Sequence, residues 1–226
     1  MINVVKSQPA PECLTLEKAK RKSVNYRCGD VVYRVLEDFY NKCYLCEEKY
    51  PSTINVEHFR PHQGDRDLMF DWNNLHYACG HCNNTKLHQF INILDCTDAK
   101  SSITAVLKFE INPAFPKEKV NVSSMDNSAA SIETAELLNL IYNGKNTPIK
   151  IIEGENIRHK VCDNLNGFIA NMNDYFNDKL TEPLRKVLRK SIVRELQPDS
   201  PFTAFKIWVV KSNDQFLEEF SNYLPQ

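Results

Sequence analysis

Two cysteine pairs, Cys43-Tyr-Leu-Cys46 and Cys79-Gly-His-Cys82, enclose a segment that contains Val56-Glu57-His58-Phe59-Arg60-Pro61. Four thiolates in two such pairs are the ligand set of a structural zinc site. Since they complete a tetrahedron, the zinc keeps no open position for catalysis. The chain between the two pairs is longer than the loop of a compact zinc ribbon, so we expect a folded unit between them.

The composition bounds the class of protein. The chain has 226 residues, of which 42% are hydrophobic and 25% are charged, as in an ordinary globular protein of one large domain or two small ones. No apolar run approaches the roughly 20 residues that span a bilayer. The first residues lack the basic start and apolar stretch of a secretory signal. We therefore expect a cytoplasmic protein.

The expected compartment decides how the eight cysteines are interpreted. Disulfides rarely persist in a reducing cytosol, so paired cysteine spacing there indicates a metal site. Four cysteines have no ligand-like spacing, and we expect them to be small buried apolar residues. These are Cys13, Cys28, Cys96 and Cys162.

The net charge of -1 gives no general basic surface for a polyanion. Basic residues nevertheless cluster twice, and each cluster could contact phosphate or form an ordinary solvated helix face, which we favour slightly. The first cluster is Lys18, Lys20, Arg21, Lys22 and Arg27, and the second is Arg185, Lys186, Arg189, Lys190 and Arg194.

Periodicity predicts the main elements around the cysteines. Apolar residues recur at helical spacing from Asp30, which is a plausible N-cap, to Cys43. Residues 53–59 are typical of a strand that Pro61 ends, and residues 67–72 predict a second strand or a turn. A short helix is expected from Gly80 or His81 onward, through Cys82 and the residues that follow it.

The second half of the chain is predicted to be mainly helical. Residues 103–111 have strand character, and Ser123 to Ser128 is a polar connector. A helix over 132–142 should end at Asn143-Gly144. Long apolar stripes over 157–176 and 184–196 predict two further helices.

Four side chains around the cysteines could form a reactive centre, although each has an ordinary explanation. Glu57 and His58 could be a surface pair, Asn74 could serve a turn, and Asn83 could cap a helix. Their joint occurrence with the cysteines favours a site. As neighbours on a strand, Glu57 and His58 start toward opposite faces, and a twist or bulge could bring both to one cleft.

The order of these elements resembles the HNH endonuclease family over about residues 43–90. That family has a ββα fold with one catalytic metal. The resemblance implies that His58 is the general base, that Glu57 and Asn83 bind Mg²⁺ or Mn²⁺, and that Asn74 orients the imidazole of His58 by hydrogen bonding. The activity implied is hydrolysis of a phosphodiester that leaves 5′-phosphate and 3′-hydroxyl ends.

Two positions depart from the common family pattern. Members often carry Asp or His where Glu57 stands, and His where Asn83 stands. An amide oxygen can bind Mg²⁺, so Asn83 can still be a ligand. The resemblance therefore does not fix which divalent metal this site prefers. Arg60 and Lys86 are candidates for phosphate contacts, with ordinary surface charges as the equal alternative.

A narrower resemblance is to the PtuB-type nuclease, the HNH subunit of Septu-like anti-phage systems that is also found with some retrons. It implies an ABC-type ATPase partner, which would share the binding of nucleic acid. The segments that carry it are Glu-His-Phe-Arg-Pro at 57–61, Phe-Asp-Trp-Asn-Asn-Leu at 70–75, Cys-Gly-His-Cys-Asn at 79–83 and Ile-Leu-Asp-Cys-Thr at 93–97.

The combined expectation is an α+β protein. It has a zinc-clamped ββα-metal HNH core, mixed strands after it and a mainly α-helical C-terminal part. We expect an N-terminal extension over 1–29, the nuclease domain over 30–128 and a helical, partner-docking domain over 129–226. Two rival functions remain: a zinc-stabilised nucleic-acid or protein binding module without catalysis, and a nuclease directed at RNA such as tRNA rather than DNA.

Overall fold

The structure is a computed structural model that describes residues 1–100, 102–145 and 147–225, and it is a mixed α+β protein. The strands of the described residues are β1 (Ile54–His58), β2 (Leu75–Cys79), β3 (Leu107–Glu110) and β4 (Asn121–Ser124). The helices are α1 (Glu12–Ala19), α2 (Gly29–Asp38), α3 (Arg66–Met69), α4 (Gly80–Lys86), α5 (Ile103–Val106), α6 (Ala129–Asn143), α7 (Pro148–Tyr175), α8 (Glu182–Glu195), α9 (Thr203–Lys211) and α10 (Asp214–Phe220).

Strands β1 and β2 form an antiparallel pair that carries the centre of the molecule. Ile54 lies opposite Cys79, and His58 lies opposite Leu75. Helix α4 follows β2 without a loop. Gly80 is needed at this junction, because a Cβ there would lie 2.7 Å from Oγ1 of Thr53. The same Thr53 oxygen accepts a hydrogen bond from the amide of Gly80 at 3.0 Å.

The segment between β1 and β2 folds as short helical turns. The side chain of Asp65 accepts hydrogen bonds from two N–H groups at the start of α3, and the side chain of Asp71 does the same for a 3-10 turn over Trp72–Asn74. Such N-caps satisfy donors that a helix leaves unpaired. The second strand therefore begins at Leu75, and the predicted strand or turn over 67–72 is a pair of capped helical turns.

Strands β3 and β4 form a second antiparallel pair, and α6 packs beside it. The amide side chain of Asn139 both accepts from the N–H of Val122 (2.9 Å) and donates to its carbonyl (2.7 Å). Asn143 binds Val120 in the same way. These helix side chains form the hydrogen bonds that a neighbouring strand would otherwise form with this backbone. The predicted polar connector, which starts at Ser123, therefore overlaps the last residues of β4.

The C-terminal part is helical as predicted. Helix α6 ends before Gly144, whose φ of +66° suits glycine. The apolar stripe of α7 is buried from Ile157 to Met172. On α8 only the far end of the predicted stripe is buried, since Leu184 is 54% exposed and Val187 is 63% exposed.

The hydrophobic core crosses the predicted domain boundaries at residues 29 and 128. Ile2 and Val4 are buried in the same cluster as Leu137 and Phe205, so residues 1–29 contribute to the core. The hydroxyl of Tyr142 in α6 donates to the carbonyl of Cys46 at 3.2 Å. The helical part and the cysteine-containing part therefore share one core.

Across the described residues, no helix combines the length and the apolar character required to cross a membrane.

Candidate functional site

The four paired cysteines form one buried cluster, in which all four Sγ atoms lie within 4.8 Å of one another. The Sγ atoms of Cys46 and Cys79 are 3.9 Å apart. Tetrahedral zinc with Zn–S bonds of about 2.3 Å needs Sγ–Sγ distances of about 3.8 Å. The cluster therefore has the ligand types and the spacing of a site that could hold a zinc ion. The residues are Cys43, Cys46, Cys79 and Cys82.

The cluster links two parts of the fold that are distant in sequence. Cys43 and Cys46 lie in the turns after α2, whereas Cys79 ends β2 and Cys82 lies in the first turn of α4. His81 contacts Glu153 at 2.7 Å and the carbonyl of Ile141 at 2.9 Å through its two ring nitrogens. Its nitrogens are thus engaged with α6 and α7, which leaves the thiolates as the ligand set.

An open cleft of about 390 Å³ lies beside the cluster. Glu57, His58 and Asn83 all line it, so the structure brings three of the four predicted reactive-centre residues together. Asn83 directly follows Cys82 in α4. The cysteine cluster joins α4, which carries Asn83, to the end of β2, and β2 pairs with the strand that carries the other two residues.

The imidazole of His58 is half-buried and held on several sides. Its Nε2 lies 3.0 Å from the backbone carbonyl of Met69, and its ring contacts those of Tyr26 (4.4 Å between centroids) and His62 (4.6 Å). A carbonyl can only accept, so in the neutral ring Nε2 carries the hydrogen. Nδ1 is then the nitrogen with a free lone pair.

The surroundings of His58 favour the neutral form of its imidazole. Burial of the ring is the largest cause that lowers the pKa of His58, and the charges of Arg27 and Lys86 act in the same direction. The hydrogen bond to Met69 opposes them. Because the pKa lies below its usual value, the ring is mainly in the form that can accept a proton near neutral pH.

Glu57 is a buried carboxylate with one unsatisfied oxygen. Its Oε1 lies 2.6 Å from the ammonium of Lys86 and accepts from the hydroxyl of Tyr44 at 3.2 Å. Its Oε2 is buried without a hydrogen-bond partner among the described residues. Burial raises the pKa of Glu57 to about 7, although Lys86 opposes the shift. A bound cation at Oε2 would satisfy the remaining oxygen.

The two predicted phosphate contacts lie in different surroundings. Arg60 is exposed, as a phosphate contact requires. Lys86 is fully buried and donates to the carbonyl of Phe59 at 2.9 Å besides pairing with Glu57. The prediction for Lys86 was wrong, because its ammonium neutralises a buried carboxylate and does not reach the surface.

Asn74 has a different role from the one predicted. Its Oδ1 accepts from the N–H of Arg60 at 2.7 Å, and its Nδ2 donates to the carbonyls of Arg60 (2.9 Å) and Leu68 (3.0 Å). The amide thus closes the loop between β1 and α3, and the acceptor for His58 is the Met69 carbonyl next to Leu68. Asn74 positions the imidazole through that loop.

We expect Asn74→Ala to lower the free energy of unfolding by about 2–3 kcal/mol, because buried polar groups of the loop lose their partners. Asn73→Ala is the matched control, since Asn73 is exposed and, among the described residues, its side chain bonds only Gln8; its effect should stay within about 0.5 kcal/mol. Urea denaturation measures both. Equal losses in the two variants would contradict the loop-closing role.

Several residues that line the cleft have no local sequence signal. Tyr26 and Arg27 precede the cysteines in a segment without clear periodicity, and His62 and His88 have ordinary surroundings in the sequence. Only the fold of residues 13–28 over the strand end brings Tyr26 and Arg27 to the cleft. Spacing within the cysteine module could not have revealed them.

His76, Asp95 and Cys96 form a second group with metal-ligand atoms within 4.8 Å. The ring of His76 is fully buried and stacks on Phe59 with 4.9 Å between centroids. Its Nε2 lies 3.3 Å from Asp95. This arrangement is explained by core packing and one contact between the imidazole and the carboxylate of Asp95, with the ammonium of Lys6 among the charges near Asp95 and Cys96.

The four isolated cysteines divide into two kinds. Cys96 and Cys162 are buried, as predicted. Cys13 and Cys28 are half-buried and joined by a disulfide, so the prediction was wrong for this pair, and the argument from a reducing cytosol against disulfides does not hold for it. Their separation in sequence gives no spacing signal, and only the packing of α1 beside the start of α2 brings them together.

The second basic cluster is largely engaged within the chain. Arg185 donates to the carbonyl of Asn177 at 3.1 Å, Arg189 pairs with Glu219 at 3.0 Å and Arg194 pairs with Asp199. These contacts tie α8 to its surroundings and favour the structural interpretation of this cluster.

The chain matches none of the known protein-family models, and no curated protein is significantly similar to it.

Proposed function

We propose that this protein is a metal-dependent phosphodiester hydrolase of the HNH type that cleaves nucleic acid. The observation that carries the proposal is the meeting of Glu57, His58 and Asn83 in one cleft beside the four-cysteine cluster. Glu57 is held there by Lys86 and Tyr44, and His58 by the carbonyl of Met69, as catalytic groups need to be held in place. The sequence resemblance to HNH endonucleases supports the same assignment.

In the proposed reaction His58 is the general base. Nε2 donates to Met69, so Nδ1 takes the proton from the attacking water. The rings of Tyr26 and His62 pack against the imidazole and limit its rotation. A neutral, fixed imidazole costs little reorganisation when the proton is transferred.

The residues that would hold the catalytic cation are Glu57, through Oε2, and Asn83, through its amide oxygen. Mg²⁺ or Mn²⁺ needs only one or two protein oxygens, since water and phosphate oxygens complete the shell. When bound, the ion would stabilise negative charge on the reacting phosphate. Lys86 keeps Oε1 engaged, which leaves Oε2 as the ligand atom.

We further propose that the nuclease acts with an ABC-type ATPase as the effector of an anti-phage defence system. The near-neutral charge supports a partner that shares the binding of nucleic acid. Exposed apolar residues near the start of α7 and on α8, Ile149, Ile152, Leu184 and Val187, are available for docking. This part of the proposal comes from the resemblance to PtuB-type nucleases.

The test is cleavage of plasmid DNA and of structured RNA by the zinc-loaded protein, alone and with the ATPase, in Mg²⁺ or Mn²⁺. We expect cleavage of one of the two substrates that stops when the divalent ion is omitted. Binding without cleavage under every condition would favour the rival binding module. Cleavage of RNA alone would assign the enzyme to RNA.

Glu57→Gln should raise the Mn²⁺ concentration at half-maximal activity by about tenfold or more, because the neutral amide loses a charged ligand. Glu136→Gln on the exposed face of α6 is the control and should not change it. A titration of activity against Mn²⁺ measures both variants. Identical titrations would remove Glu57 from the metal site.

A further inference from the structure

Residues 13–28 form a closed segment at the edge of the cleft. The disulfide between Cys13 and Cys28 joins α1 to the residue that precedes α2. The chain between α1 and α2 has no regular structure over residues 20–28 and includes Ser23 at a φ of +52°. The disulfide therefore closes a loop whose own backbone pairing is sparse.

A few polar contacts hold the segment against the cleft side of the fold. The guanidinium of Arg66 donates to the carbonyls of Lys18 and Lys20. Lys18 also pairs with Asp67 at 2.6 Å, and the amide of Asn25 donates to Glu17 at 2.9 Å. Since all four contacts are exposed to solvent, they stabilise the position weakly. The disulfide is the strong constraint on where this segment can lie.

The end of the segment that meets the cleft carries Tyr26 and Arg27. The ring of Tyr26 packs on that of His58, and its hydroxyl accepts from Nε (3.0 Å) and Nη2 (2.7 Å) of Arg27. Both residues line the cleft, and the guanidinium is exposed. Within the described ranges, no carboxylate forms an ion pair with Arg27.

We propose that residues 13–28 are the phosphate-binding wall of the cleft, in which Arg27 contacts the nucleic-acid backbone and the Cys13–Cys28 bond holds Arg27 in place. The inference rests on the proposed nuclease function and names the residue that binds the backbone of the nucleic-acid substrate. A guanidinium offers two parallel N–H groups to a phosphate. The hydroxyl of Tyr26 orients that fork and leaves the other N–H groups for the ligand.

The positions of the charges favour Arg27 over the other residues of the first basic cluster as the phosphate contact. Among the described residues that line the cleft, Arg27 is the only lysine or arginine, and the carboxylate of Glu57 is already paired with Lys86. Lys18 and Lys20 are engaged with Asp67 and Glu17. Arg21 is exposed and does not line the cleft, which makes it a control for charge alone.

The first test compares Arg27→Ala with Arg21→Ala, each in a His58→Ala background so that substrate stays intact. Fluorescence anisotropy with labelled DNA and RNA oligonucleotides measures the dissociation constant at fixed salt. We expect Arg27→Ala to weaken binding about tenfold by loss of charged hydrogen bonds, and Arg21→Ala to weaken it less than about threefold. Arg27→Lys should restore only part of the loss. Equal effects of the two alanine variants would overturn the proposal.

The second test breaks the disulfide. A phosphine reductant cleaves the S–S bond; its phosphorus becomes a phosphine oxide with the oxygen of one water, and the two hydrogens of that water give the two thiols. We expect reduction, or the Cys13→Ser/Cys28→Ser double variant, to weaken binding by the same factor as Arg27→Ala, with the zinc content unchanged. Unchanged affinity would show that the bond does not hold Arg27.

Different results would contradict the proposed nuclease function and the proposed role of residues 13–28. If the unchanged protein neither binds nor cleaves nucleic acid, both the proposed function and the phosphate-binding role of residues 13–28 are contradicted. If it cleaves nucleic acid, but Arg27→Ala matches Arg21→Ala, only the wall fails. Should the double cysteine variant not fold, Arg27→Ala still decides.

Discussion

Replacing His58 by alanine should lower the rate of nucleic-acid cleavage by about 10²–10⁴-fold, the usual contribution of a positioned general base. Nδ1 is the only ring nitrogen of His58 with a free lone pair, because Nε2 is engaged with the carbonyl of Met69. Removal of the ring leaves the cleft without a base at that position. Initial rates under saturating Mn²⁺ give the comparison.

The control for this variant is His159→Ala, which changes an exposed histidine on α7 away from the cleft. It should cleave at the normal rate. Both variants should contain as much zinc as the unchanged protein, since His58 is not among the four ligands. A His58→Ala protein that cleaves as fast as the control would remove His58 from catalysis.

Replacing Cys79 by serine should remove the zinc and unfold the centre of the molecule. Zinc binding to structural sites contributes about 10–16 kcal/mol in isolated peptides, which is comparable to the whole stability of a domain at about 5–15 kcal/mol. Cys79 also ends β2 and caps α4, so its loss separates both from the first cysteine pair. We expect about one zinc per chain in the normal protein and none in this variant.

Elemental analysis together with thermal unfolding measures this effect. Cys162→Ser provides the control, because Cys162 is a buried cysteine on α7 outside the cluster. It should keep one zinc per chain. A folded, stable and zinc-free Cys79→Ser protein would contradict the structural role of the metal.

Local pattern predicted the parts of the fold that depend on local chemistry. The two cysteine pairs form one buried cluster, the strand before Pro61 is β1, and the helix predicted from Gly80 or His81 is α4. Each of these features was predicted from a pattern of residues that lie close together in the sequence. The same holds for α6, which ends before Gly144, and for the buried stripe of α7.

The parts that pattern did not predict depend on contacts between distant segments. Strand β4 is short and polar, and it is stabilised on one edge by Asn139 and Asn143 of α6. The Cys13–Cys28 disulfide depends on how α1 packs beside α2. No spacing rule identifies such partners.

The candidate site shows the same division. The resemblance to HNH endonucleases led us to expect Glu57, His58 and Asn83 in one cleft, whereas neither it nor the local pattern predicted the contacts of Asn74 and Lys86. Asn74 binds backbone groups across a loop that pattern left undefined, and Lys86 is drawn inward by a buried carboxylate. Burial and loop geometry decide these two roles, and both follow only from tertiary packing.

The most direct test of the account is the chemistry of the product ends. End-labelled DNA and RNA are incubated with the zinc-loaded protein and Mn²⁺, in the presence of the ATPase, and the new termini are identified. We expect 5′-phosphate and 3′-hydroxyl ends, absent when Mn²⁺ is omitted and strongly reduced in His58→Ala. Cyclic phosphate ends, or no cleavage of either substrate, would contradict the proposal that this cleft hydrolyses phosphodiesters with a second metal beside the zinc.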